Sequence, residues 1–225
     1  MERDLELLSK ALVERFGPQV AQQITSVRDR LLDLASKGLV KSNHSAIEML
    51  VAAYLASKGY EVDVEVEVGD GLVCDVYGLR NNEVLIVEIE TGFVPPSNAL
   101  DPIRYRAARE VSKVARYSQY ADTFIIATPP YHVLFIPKVL LKPPEQRELA
   151  EVVPLKALLD AYYRNPPIPV ELIARARLDG VFITVVDRLE VIEMTTRQYH
   201  YLSASLYNGA PLGVEGAPQK LEMRE

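Results

Sequence analysis

Two runs that alternate apolar and polar residues, Leu72 to Arg80 and Glu83 to Glu90, are separated only by Asn81-Asn82. No other feature restricts the fold as much. Asparagine tolerates the positive φ that a type I′ turn demands at both central positions, so the dipeptide predicts a two-residue hairpin. The turn then dictates the register: Arg80 pairs with Glu83, Tyr77 with Ile86 and Asp75 with Glu88. Directly opposed Cβ atoms lie about 4.5–5.5 Å apart, so two carboxylates meet face to face, and Glu90, two residues on, points to the same side. Like charges that close repel, and burying them requires a proton or a cation between them. A hard divalent ion such as Mg²⁺ binds through one or two carboxylates in this way. Spacing alone equally allows a solvated acidic sheet face.

The surrounding pattern places this hairpin in an α/β fold. Asn43 or Ser45 can cap a helix that runs to about Lys58 with Ile47, Leu50, Val51, Tyr54 and Leu55 on its apolar face. From Tyr60 to Val68 the chain alternates strictly, Val62, Val64, Val66 and Val68 facing one way and Glu61, Asp63, Glu65 and Glu67 the other. That predicts a half-buried strand with a solvated acidic face. A loop rich in proline leads to a helix over residues 103–120, and the apolar run Thr123 to Ala127 reads as a buried strand. The order from 43 to 128 is helix, three strands in a meander, helix, strand.

Outside this core, residues 1–42 read as an N-terminal helical hairpin, with helical runs over 4–16 and 19–36 separated by Gly17-Pro18. Residues 142–207 read as a C-terminal extension made of a helix and a β-hairpin. The helix spans 145–163 with a break expected at Pro154, and Asp179-Gly180 is the expected hairpin turn before a strand from Val181 to Val186. A third apolar run covers Leu189 to Met194. The glycine- and proline-containing tail from 208 to 225 is expected to be flexible. A chain of 225 residues allows one main domain plus an elaboration.

Charge is distributed unevenly. The net charge of −6 argues weakly against a nucleic-acid coat protein, but the average hides two opposed segments. From Tyr60 to Gly92 nine acids face the single base Arg80, whereas from Pro102 to Gln119 five bases, Arg104, Arg106, Arg109, Lys113 and Arg116, face only Glu110. Arg109, Lys113 and Arg116 are spaced to form one stripe on that helix, although a basic stripe is also an ordinary solvated face. The single cysteine, Cys74, excludes a disulfide framework and a CxxC-type zinc site, and it reads as an inert core thiol. The charged start MERDLELL and the lack of an apolar run of about 18 residues lead to the expectation of a soluble, cytoplasmic protein with no membrane partner. No GxxxxGK[ST], GxGxxG or GxSxG motif occurs. His44, just ahead of the first core helix, could approach a metal or a phosphate, although a histidine flanking a helix is more often merely exposed, and His132 and His200 have no metal-ligand spacing.

Glu48 on the first core helix, Asp75 on the second strand and the tripeptide Glu88-Ile89-Glu90 at the end of the third, followed by a basic helix and a buried strand, resemble the PD-(D/E)XK nuclease superfamily. The resemblance is to its archaeal Holliday-junction-resolvase-like and RecB-like branches and spans about residues 43–136. It implies an αβββαβ restriction-endonuclease-like core and, for residues 43–141, hydrolysis of phosphodiester bonds in DNA. It further implies Mg²⁺ or Mn²⁺ held by Asp75, Glu88 and the backbone carbonyl of Ile89, with Glu48 as the helix acid. Glu90 stands where the family has lysine, so either Glu90 or Lys113 from the following helix would orient or deprotonate the attacking water. Arg104, Arg109, Lys113 and Arg116 would hold the nucleic acid. Two other readings remain open: a nuclease-fold binding module that has lost the motif lysine, and an oligomerising subunit, with room for a homodimer.

Overall fold

Helix α1 (Glu2–Phe16) buries Leu5 and Leu12, and α2 (Ala21–Ser36) buries Ile24, Val27 and Leu31, each set at helical spacing. Gly17, at φ +97°, turns the chain between them, a conformation that side chains with a Cβ rarely adopt. Helix α3 (Ser42–Ser57) is apolar on nearly every side, and Met49 to Ala53 are all buried. These positions come from a computed structural model that describes residues 1–39 and 42–206; the tail expected to be flexible lies outside the described residues. Because α3 begins at Ser42, Ser45 sits inside its first turn and does not precede it.

Six strands follow in one mixed sheet whose spatial order equals their chain order: β1 (Glu61–Gly69), β2 (Leu72–Arg80), β3 (Glu83–Ile89), β4 (Thr123–Thr128), β5 (Gly180–Val185) and β6 (Glu190–Thr195). The pairs β1–β2, β2–β3 and β5–β6 are antiparallel, whereas β3–β4 and β4–β5 are parallel. Alternation along the central strands serves both faces. Leu85, Val87, Ile89, Ile125, Ala127 and Phe182 pack on the layer of α1, α2 and α3. Ile86, Phe124, Ile126 and Val181 pack on the opposite layer, made by α4 (Pro102–Tyr117), α5 (Leu149–Asp160), α6 (Val170–Arg175) and α7 (Thr196–Leu206). Each fully buried Leu, Ile or Phe contributes about 1.5–3 kcal/mol, enough in sum to support a polar cluster at one end of the sheet.

The turn at Asn81-Asn82 has φ of +52° and +63°, as a type I′ turn requires. The pairing is Arg80 with Glu83, Tyr77 with Ile86 and Val76 with Val87, where the ladder ends. The four valines of β1 do not share a face. Val62 and Val64 pack with the α1–α3 layer while Val66 and Val68 pack with the other, and the change falls at Glu65, whose φ is +51°. Alternation assumes extended φ throughout, and one left-handed residue reverses it.

The C-terminal half differs from expectation in two places. Helix α5 runs through Pro154 unbroken, its buried Val152, Leu155, Leu158 and Leu159 outweighing the hydrogen bond that proline cannot donate. Asp179-Gly180 is not a hairpin turn: Gly180 begins β5, and the Asp179 carboxylate accepts the Phe124 N–H at 2.8 Å. The turn lies instead between β5 and β6, at residues 186–189, with Leu189 left-handed at φ +49°. No helix among the described residues is long and apolar enough to cross a membrane.

Candidate functional site

Where the β2–β3 ladder stops, side chains take over the backbone hydrogen bonds. The Asp75 N–H donates to Glu88 Oε1 at 3.2 Å, and the Ile89 N–H donates to Asp75 Oδ2 at 2.5 Å. Buried backbone donors need partners, so the end of the ladder itself draws both carboxylates inward. Glu88 and Glu90 are 2% and 1% exposed, which makes their mutual repulsion costly unless a cation intervenes.

That cation is Lys113, from the face of α4 turned toward the sheet. Its Nζ donates to the Ile89 carbonyl at 2.6 Å and lies 3.1 Å from Glu88 Oε2, 3.4 Å from Asp75 Oδ2 and 3.9 Å from Glu90 Oε2. Burial alone would push the Lys113 ammonium down; Asp75, Glu88 and Glu90 override it and hold the group above its ordinary value. Arg109, one turn earlier, binds Glu90 Oε2 at 2.7 Å, and the Gly92 N–H donates to Glu90 Oε1 at 3.2 Å. The position enclosed by Asp75, Glu88 and the Ile89 carbonyl, expected to hold a metal, is thus filled by an ammonium of the chain. Burial and the neighbouring Asp75 push Glu88 up.

On the other side of Asp75 the balance is reversed. Glu48 is fully buried, and neither of its oxygens has a hydrogen-bond partner. Burial, then Asp75, Glu65 and Glu88, push it up to about 9. His44 lies one turn before it on α3, and His44, Glu48 and Asp75 each offer a ligand atom within 4.8 Å of the others. Burial pushes His44 down, which keeps a neutral imidazole able to ligate, and its Nε2 is 3.4 Å from Thr91 Oγ1. This cluster could hold a metal ion.

Two of the contributors are residues that the sequence pattern turns toward solvent. His44 lies within the first turn of α3 and is half-buried against the cluster, not exposed ahead of the helix. Glu65, flanked by the pairs Val64–Val76 and Val66–Cys74, lies across from Asp75, and burial followed by Asp75 pushes it up to about 7. Its left-handed φ left no trace in the alternation.

The basic helix is also rearranged. Arg109 and Lys113 face the carboxylates and do not form an outward stripe with Arg116, whose guanidinium stacks 5.1 Å from the centre of the Tyr163 ring. Arg106 meets His132 Nδ1 at 3.2 Å, and His132 Nε2 meets Glu110 Oε1 at 3.2 Å in a buried pair. Of the four cations expected to hold nucleic acid, only Arg104 is exposed. Cys74 is a buried thiol pushed up to about 12 by burial, hence inert. Comparison of the chain with protein-family models, with curated proteins and with solved structures finds no match.

Proposed function

We propose that the chain is a metal-dependent nuclease of PD-(D/E)XK type, hydrolysing phosphodiester bonds in DNA. The observation that carries this reading is the insertion of Lys113 from α4 among Asp75, Glu88 and Glu90, beside the unpartnered Glu48. It supplies the lysine that the position of Glu90 lacks, in an element order, α3–β1–β2–β3–α4–β4, that matches αβββαβ. His44, Glu48 and Asp75 would hold the cation. One imidazole with two carboxylates suits Mn²⁺, and the carboxylates alone suit Mg²⁺. When bound, such an ion polarises a phosphoryl oxygen and lowers the pKa of water.

The chain's own residues divide the remaining work. Lys113 places a positive charge next to the reacting phosphate and orients the attacking water. Glu90, already committed to Arg109 and the Gly92 N–H, serves to hold Lys113 and α4 in place and is poorly suited to act as the base. Glu48 releases its proton when a cation arrives. Exposed Arg104 at the start of α4 contacts the flanking phosphate.

A second reading, a nuclease-fold module without catalysis, is favoured by one fact: the Lys113 ammonium already sits between Asp75 and Glu88, where the metal was expected. The two separate on incubation with single-stranded, duplex and branched DNA in Mn²⁺. Cleavage is expected, blocked by EDTA and reduced at least about 100-fold in Asp75→Asn. Cleavage that survives Asp75→Asn, or its absence on every substrate, overturns the nuclease reading.

A further inference from the structure

A second concave site lies apart from the carboxylates, between the C-terminal end of α4 and the chain leaving α6. It is a pocket of about 210 Å³ lined by Ala115, Ser118, Gln119, Leu172, Arg175 and Arg177, with no acid among them. At about 30 Å³ per water this is room for roughly seven waters, enough for a phosphate and a short carbon skeleton. Two arginines reach one pocket because the chain is extended where α6 ends. Ala176 has φ −56° and ψ 134°, so Arg175 and Arg177 share one side while Ala176 and Leu178 are buried on the other.

The partners these cations would otherwise take within the chain are already served. Carbonyls closing a helix need donors, and Arg147 Nη1 donates to those of Ala174 at 2.9 Å and Ala176 at 2.6 Å. At the end of α4, Gln119 Nε2 donates to the Arg116 carbonyl at 3.0 Å. Arg177 gives only Nη2 to a backbone carbonyl, that of Ala121, at 2.6 Å. The arginine–carboxylate pairs among the described residues involve Arg28, Arg30 and Arg109, not Arg175 or Arg177. Ser118, 3% exposed, accepts the Arg177 N–H at 3.0 Å and keeps its hydroxyl proton to donate. We infer that this pocket binds a small phosphate monoester, with Arg175, Arg177 and the Ser118 hydroxyl on the phosphate oxygens and Ala115 and Leu172 against the organic part. Guanidinium forks match phosphate oxygens in geometry and charge. A nucleic-acid backbone instead follows an open track of cations, whereas here both converge on one point beside an apolar wall. The inference is independent of the carboxylate cluster and of the nuclease reading.

The experiment is calorimetric titration of the full chain with phenyl phosphate and with inorganic phosphate, in a metal-free, phosphate-free buffer at pH 7.5. Phenyl phosphate should bind at one site with Kd below about 1 mM, and inorganic phosphate at least about 3-fold more weakly for want of the apolar contact. Arg175→Gln should weaken phenyl phosphate at least about 10-fold, and Arg177→Gln likewise. Arg188→Gln, an exposed position in the β5–β6 turn, should change nothing, which separates the pocket from general surface charge. Arg175 is exposed, so its variant should fold and decides the matter even if Arg177→Gln does not. No saturable binding below about 10 mM, full affinity in Arg175→Gln, an equal loss in Arg188→Gln, or tighter binding of inorganic phosphate overturns the inference. Displacement of phenyl phosphate by an oligothymidylate lacking terminal phosphates would make the pocket a backbone contact and overturn it as well.

Discussion

The two ends of the β2–β3 hairpin are built on opposite principles. At the closed end, Asn81 and Asn82 take left-handed φ, and the ladder from Arg80–Glu83 to Val76–Val87 satisfies its backbone with backbone. At the open end, carboxylates of Asp75 and Glu88 take over the missing ladder bonds, and ionisable groups fill the space between strands and helices. Regularity makes the closed end cheap to specify and chemically silent. The open end needs compensation from three other elements, α3, β1 and α4.

The largest test of this contrast is Lys113→Met at pH 8 without metal. Removing one partner from a buried ionic cluster strands the others, so stability should fall by about 3–5 kcal/mol in denaturant unfolding. A loss below about 1 kcal/mol would mean that the carboxylates are far better solvated than their burial implies. Glu48→Gln should act with the opposite sign. The Glu48 pKa is near 9 in the fold against an unfolded value near 4.3. The native state therefore binds the extra proton, and this group lowers stability progressively as pH rises from about 4 to 9. In metal-free buffer the variant should gain up to about 5 kcal/mol over wild type at pH 8 and almost nothing at pH 4. A pH-independent difference would break the assignment.

At the closed end the effects shrink. Asn82→Ala removes the short amide side chain that eases left-handed backbone at φ +63° and should cost about 1 kcal/mol, whereas Asn82→Gly should be close to neutral. Both should leave Mn²⁺ binding unchanged, since the turn is remote from the ladder's open end. Arg104→Ala should change stability by less than about 0.5 kcal/mol while lowering the salt dependence of the proposed DNA binding by about one phosphate contact. An unchanged salt slope would remove Arg104 from the proposed DNA-binding surface.

The closed end was legible in the sequence because its information is local: two asparagines encode two dihedral angles, and the register follows. The gathering of Asp75, Glu88 and Glu90 on one side followed from the same register. Their exact contacts did not, because the place where a ladder stops depends on the helix packed across it, and Val76–Val87 look no different in sequence from the pairs before them. Lys113 was legible as a candidate by its place on the basic helix, but its direction is set by the small residues Ala107, Ala108 and Ala115, which pack that helix closely on the sheet. Charge counting failed to separate cations that face solvent from those consumed by internal acids, as Arg109 shows. Strict alternation concealed Glu65, and Leu189 concealed the real hairpin turn, since neither is a residue type that usually adopts left-handed backbone.

The left-handed Glu65 also bears on how copies of this protein meet. It lies on β1, an outermost strand of the sheet, with Glu61 and Glu67 exposed along the same segment. A strand whose backbone is twisted out of line and lined with like charge is a poor template for another sheet. Growth by edge-to-edge pairing, the route by which open sheets aggregate, is therefore disfavoured at β1.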